Sequence, residues 1–239
     1  MEPPVRLSDS LDRKLIASIY ARAGRIHIRP IFSPESAEAA HRCLTLDIPW
    51  QLHLNDGDRP INLAGAKFEE LPAEDRSRFL QTVYASAGQR FQYLFNSFPV
   101  SDIHERGEHR SLYVMRVYEF LNSPEFLGFA REITGQPSIA LADAQATLYR
   151  PGHFLTHHDD LVPDKKRLAA YVLSFTPMWV TDWGGILQFI AGDGHVAEGY
   201  APTFNALNIF KVPQLHAVSY VTPFARAGRF SITGWLRAA

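Results

Sequence analysis

From about residue 138 the sequence is a succession of short runs rich in β-branched and aromatic residues: ATLY, LAAYVLSFT, ILQFI, ALNIFKV, HAVSYV and RFSITGWL. Pro151-Gly152, Gly184-Gly185 and Gly192-Asp193-Gly194 separate them. Strands this short cannot bury a face alone, and turn chemistry between them lets each fold back on its neighbour. The pattern therefore predicts a sandwich or barrel of the jelly-roll type. The preceding part of the chain reads differently. Leu11, Leu15, Ile16 and Ile19 share a helical face that stops at Gly24, and RIHIRPIF then alternates Ile26 and Ile28 as a strand does. Ser33-Pro34 and Ser123-Pro124 are helix starts, each a side-chain cap followed by a residue whose φ is already set. Phe79, Leu80, Val83, Tyr84 and Ala87 predict a further amphipathic helix, and EFLGFAREITG carries its apolar stripe to Gly135.

The expected class is α+β. Residues 1–135 form a helical and mixed N-terminal region packed against a jelly-roll core over residues 136–239, within one structural domain. A length of 239 residues, 46% of them hydrophobic, suits one sizeable core. The formal net charge is −1 and no long basic run occurs, which argues against direct nucleic-acid binding through phosphates. The single cysteine, Cys43, excludes an intrachain disulfide framework and fits a reducing compartment. No apolar segment follows the charges of MEPPVRLSDSLDRK, and no apolar run approaches a bilayer span. The expectation is a soluble, cytoplasmic protein without a membrane partner.

The stretch YRPGHFLTHHDDLVPDKKR, from Tyr149 to Arg167, places two adjacent histidines before two adjacent aspartates. On a strand, residues i and i+2 share a face, so His157 with Asp159 or His158 with Asp160 would aim an imidazole and a carboxylate at one point. One further histidine would complete the two-His, one-carboxylate arrangement of non-haem iron(II) oxygenases. His216 in VPQLHAVSYV stands near the start of a predicted strand, and Arg229 follows on the next one. The rival, His195 in GDGHVAEG, reads as a histidine of a surface turn, and His153 follows a Pro-Gly turn and stays outside the ligand set. Strand periodicity does not choose between the two His-x-Asp registers.

Taken together, Tyr149, His158-Asp159-Asp160, Arg167 to Tyr171, Gly184-Gly185, His216 and Arg229-Phe-Ser231-Ile-Thr-Gly234-Trp235 resemble a known pattern. It is that of the prolyl-hydroxylase branch of the iron(II)- and 2-oxoglutarate-dependent dioxygenases, nearest to the enzymes that modify a small-subunit ribosomal protein in eukaryotes. The likeness covers the catalytic barrel, roughly residues 138–237, and implies a double-stranded β-helix. It implies His158, Asp160 and His216 as iron ligands, and His157 and Asp159 facing away. It further implies Arg229 and Tyr149 as partners of the far carboxylate of 2-oxoglutarate, a forked charge-assisted pair with a hydroxyl beside it, and Ser231 as an assistant. The implied cofactors are Fe(II), 2-oxoglutarate and dioxygen, with ascorbate as reductant. The implied partner is a proline-containing protein or peptide such as a ribosomal or translation protein. A free amino acid or small metabolite as substrate, and a non-catalytic jelly-roll binder, are the alternative readings. Trp179 and Trp183 in PMWVTDW belong either to a loop covering a peptide or to the core.

Overall fold

The computed structural model of the protein describes residues 2–57 and 59–239. In chain order the helices are α1 (Arg13–Ala23), α2 (Pro34–Leu46), α3 (Gly65–Glu69), α4 (Ala73–Ala87), α5 (Val100–Glu105), α6 (Tyr113–Leu121) and α7 (Pro124–Thr134). The strands are β1 (Arg25–Ile28), β2 (Gln51–Asp56), β3 (Arg59–Ala64), β4 (Tyr93–Phe98), β5 (Ile139–Ala142), β6 (Gln145–Tyr149) and β7 (Phe154–His158). They continue with β8 (Arg167–Ser174), β9 (Leu187–Ile190), β10 (Val196–Tyr200), β11 (Ala206–Lys211), β12 (His216–Val218) and β13 (Arg229–Ala238).

The helix boundaries follow from side chains that satisfy the free backbone groups at helix ends. Ser33 Oγ accepts from the Ser36 amide, Ser123 Oγ from Phe126 and the Asp12 carboxylate from Leu15. α1 and α7 stop on Gly24 (φ 67°) and Gly135 (φ 66°), left-handed positions that cost glycine least. One expectation fails here. Leu15 does not share the buried face of α1 but is 54% exposed, and the helix buries the i, i+4 pair Ile16 and Tyr20 instead.

The strands pair antiparallel in one sheet, with the order β1-β11-β8-β13-β6-β4-β7-β12-β9-β10; β2 and β3 extend it from β4, and β5 pairs with β13. The sheet curls into a nearly closed jelly-roll barrel. It crosses the boundary expected near residue 135. β1 lies at one end of the order, and β4 sits between β6 and β7, inside the barrel wall. Residues 1–135 therefore supply part of the barrel as well as the helices around it.

β8 shows how two faces are filled from one run. Ala169, Tyr171 and Leu173 join Ile232 and Leu236 of β13 in the core beneath α1, α2, α6 and α7. The alternate residues Ala170 and Val172 pack with Leu187, Phe189 and Phe210. A strand buried on both faces reads as a continuous apolar run, which is why LAAYVLSF shows no polar alternation. α4 lays Phe79, Leu80, Val83, Tyr84 and Ala87 against Leu52, Leu54, Leu94 and Phe154, the face its periodicity predicted. No described helix is long and apolar enough to cross a membrane.

The paired glycines have a steric reason. Gly184 (φ 69°) lies on the carbonyl group of Tyr220, and a Cβ there would run into that oxygen. Gly185 (φ 63°) lies against Trp179, Val221 and the Arg229 side chain. A side chain at Gly185 would press on the Arg229 side chain.

Candidate metal centre and anion cradle

β7 and β12 pair so that His158 and His216 stand directly opposite each other. Opposed residues of an antiparallel pair project from the same face, which brings two histidines distant in sequence into contact. Their ring centroids are 4.2 Å apart. Asp160 lies two residues beyond the end of β7, in the left-handed region at φ 65°. Its carboxylate spans both rings, with Oδ1 3.4 Å from His158 Nε2 and Oδ2 3.4 Å from His216 Nε2. These three residues offer donor atoms within 4.8 Å of one another, close enough for one metal ion.

The backbone sets the tautomers. His158 Nδ1 is 3.1 Å from the Thr156 carbonyl oxygen and His216 Nδ1 is 2.7 Å from that of Gln214. A carbonyl only accepts, so both Nδ1 atoms carry the proton and both Nε2 lone pairs face Asp160. This is the arrangement expected around a metal-ligating histidine. Burial, with the charge of His158 adding to it, pulls His216 down to about 4, so its imidazole is neutral at physiological pH. Burial acts to raise the Asp160 carboxyl, but when the facing imidazoles of His158 and His216 carry a proton on Nε2, their hydrogen bonding and charge outweigh it and hold the carboxyl below its ordinary value. Two imidazole nitrogens and one carboxylate oxygen are a donor set that suits iron(II) and would leave coordination positions open on the cavity side.

The structure keeps His157 and Asp159 outside this cluster. Both are exposed, and Asp159 Oδ1 accepts from the Leu161 amide, closing a local turn. The strand argument for the register does not apply, because β7 ends at His158 and Asp160 reaches the site by its left-handed backbone. His195 is exposed in a turn whose Asp193 carboxylate accepts its amide. His153 closes the Arg150-Pro151-Gly152-His153 turn, where Gly152 takes φ 90° and the His153 amide donates to Arg150.

His153 is buried, its Nδ1 accepts from the Arg150 amide, and burial pulls its pKa from 6.5 to about 4. An unfolded chain takes up this proton near 6.5 and the folded chain only near 4. Between those values the unfolded state binds more protons, so stability falls as pH is lowered through that window. The full shift corresponds to about 3 kcal/mol. Urea unfolding of the metal-free protein at pH 7 and pH 4.5 should therefore show a loss that shrinks by roughly this amount in His153→Asn. An unchanged pH dependence in that variant would contradict the assignment.

Arg229 opens β13 opposite Tyr149, the last residue of β6, and its guanidinium carbon is 5.0 Å from the Tyr149 ring centre. Arg229 is 3% exposed, and among the described residues no carboxylate lies within ion-pairing distance. Its Nε has no hydrogen-bond partner. Burial lowers the pKa of Arg229 and raises that of Tyr149. Two residues along, Ser231 faces Thr147, and neither hydroxyl has a partner. A buried cation with unpaired donors beside it costs free energy unless an anion completes the set. The cavity that Arg229, Tyr149 and Thr147 line is the one into which His158, Asp160 and His216 open. Thr147 escaped notice in the sequence, although its i, i+2 relation to Tyr149 on a strand places it on the same face. Trp179 and Trp183 pack edge to face at 5.3 Å, and the Trp179 indole donates to the Gly184 carbonyl oxygen; Met178 and Val180, on either side of Trp179 in sequence, are exposed.

A jelly roll carries two histidines and a carboxylate beside a buried arginine, and residues 144–237, which contain these residues, match the family described as the 2OG-Fe(II) oxygenase superfamily. Among individual proteins, the chain is similar to the prolyl 3,4-dihydroxylase OGFOD1 of Ostreococcus tauri, 29% identical over 135 residues. That alignment takes in 51% of this chain and 26% of the relative, so the chain matches about a quarter of the relative's length. A prolyl-4-hydroxylase from Pseudomonas putida shares the fold with a TM-score of 0.59 at 17% identity, over 95% of this chain and 99% of that one. A Trichoplax adhaerens prolyl hydroxylase, solved with a hypoxia-inducible-factor peptide fragment, does so with a TM-score of 0.63 at 13% identity, over 95% and 89%.

Proposed function

We propose that the protein is an iron(II)- and 2-oxoglutarate-dependent oxygenase that hydroxylates a prolyl residue of a protein. The observation that carries this reading is the shared cavity. A three-donor metal centre opens at one part of it and a buried arginine without a carboxylate partner at another. A keto diacid has a chelating end for the first and a free carboxylate for the second.

Each residue has a defined task in this reading. His158, Asp160 and His216 hold the ion and leave its cavity side open. Arg229 takes the far carboxylate as a fork, with Tyr149, Thr147 and Ser231 as neighbouring hydroxyl donors. Phe95, Leu155, Val218 and Phe210 line the remaining wall and restrict water. When bound, iron(II) with 2-oxoglutarate and dioxygen supplies the oxidising power that inserts oxygen into an unactivated C–H bond, releasing succinate and carbon dioxide. The peptidyl-proline substrate is supported by the OGFOD1 similarity and by the residue pattern from Tyr149 to Trp235. Ascorbate as external reductant and a cytoplasmic setting belong to the same reading.

Incubating the protein with iron(II), 2-oxoglutarate and a lysate of its own organism should give proline-containing peptides that gain one oxygen, detected by mass spectrometry. Oxidation confined to free metabolites would overturn the peptidyl-proline assignment and leave the oxygenase class standing.

A further inference from the structure

Asp160 is the one member of the triad that no strand holds. The β7 ladder ends at His158, and Asp160 adopts φ 65°, a conformation uncommon outside glycine, which aspartate tolerates better than most and which a neighbouring contact can hold in place. Arg167, the first residue of β8, supplies such a restraint. Its Nη1 donates to the Asp160 carbonyl oxygen at 3.0 Å and lies 3.9 Å from the Asp160 carboxylate. The guanidinium lies over the Trp235 indole, with its central carbon 3.5 Å from the ring centre. Trp235 stands on β13, next to β8, so two adjacent barrel strands fix the plane of the guanidinium. The side chains of Arg167 and Asp160 are 14% and 8% exposed, which shields the contact from water and salt.

We propose that Arg167, held flat on Trp235, is a positioning residue that locks Asp160 in its left-handed conformation and so presets the carboxylate between the two imidazoles. The inference rests on the metal-centre reading above. A planar fork can bind a carbonyl oxygen and stack on an indole simultaneously; an ammonium group cannot reproduce both. Partners that orient metal ligands carry a typical 10–100-fold effect on metal affinity.

Mn(II), a redox-stable probe, tests this through loss of its free-ion electron paramagnetic resonance signal on binding. Arg167→Gln and Arg167→Lys, compared at a temperature where all three proteins are folded, should each bind Mn(II) about 10–100-fold more weakly than the unmodified protein. A merely structural role for Arg167 would lower the melting temperature and leave the Mn(II) affinity of the folded protein unchanged. Should Arg167→Gln fail to fold, Arg167→Lys decides. Folded Arg167→Lys that binds Mn(II) within about two-fold of the unmodified protein would overturn the clamp. Asp160→Ala separates the two levels: it should abolish binding, and Mn(II) binding unaffected by that change would defeat the metal-centre reading itself.

Discussion

Replacing His216 by alanine should leave a folded protein in which iron(II)-dependent conversion of 2-oxoglutarate to succinate falls by more than about 100-fold. Changing an outer partner of a metal ligand already costs 10–100-fold, and a ligand carries more. His216 supplies one of the two imidazole nitrogens in the His158, Asp160 and His216 cluster, and its opposite number across the β7–β12 pair, His158, cannot occupy both positions. The variant should remain folded because an alanine keeps the backbone pairing of β12 with β7 and β9. Succinate release per protein, followed by proton magnetic resonance, provides the measurement. His157→Ala serves as the control, since that side chain is exposed and outside the cluster. Turnover by His216→Ala at the unmodified rate would exclude His216 as a ligand.

Arg229→Gln should raise the concentration of 2-oxoglutarate needed for half-saturation by about one hundred- to a few thousand-fold. Leaving one partner of a buried ion pair alone costs about 3–5 kcal/mol, and each 1.4 kcal/mol is a factor of ten in affinity. Stability should move the opposite way from affinity. In the ligand-free protein Arg229 is a buried cation without a carboxylate, so removing its charge relieves a desolvation cost, and the melting temperature should hold or rise. Arg229→Lys keeps the charge but loses the fork, and should fall between the two. Equilibrium binding of 2-oxoglutarate to the metal-loaded protein, with thermal unfolding of the metal-free protein alongside, reads both effects. Undiminished 2-oxoglutarate affinity in Arg229→Gln would place the far carboxylate elsewhere.

The C-terminal strands were legible because their signal is local: β-branched runs with Pro-Gly and Gly-Gly turns between them. The helix starts at Ser33-Pro34 and Ser123-Pro124 were legible for the same reason. β4 was not. YLFNSF is buried throughout, and a short run buried on both faces carries no period to distinguish it from a helix segment. Its place between β6 and β7 is set by pairing across long stretches of sequence, which no local pattern reveals.

The site divides similarly. His158, Asp160 and His216 were named by likeness to a family pattern, and strand parity could not have chosen them. Asp160 lies off the strand, and its left-handed backbone is a feature of three-dimensional packing. Arg167 was visible as part of the pattern, but its grip on the Asp160 carbonyl oxygen depends on a loop returning to the start of β8. Thr147 and Ser231 meet because β6 and β13 pair in one register. A shift by one residue would turn Thr147 away from the cavity it lines and part it from Ser231.

The account depends on one cavity taking iron(II) and 2-oxoglutarate together. Anaerobic titration of the protein with both tests this directly, because a visible metal-to-ligand charge-transfer absorption arises only when keto acid and ferrous ion share a coordination sphere. The band should appear in the unmodified protein and be lost in Asp160→Ala. No band in the unmodified protein, or a band of full intensity in Asp160→Ala, would contradict the central claim.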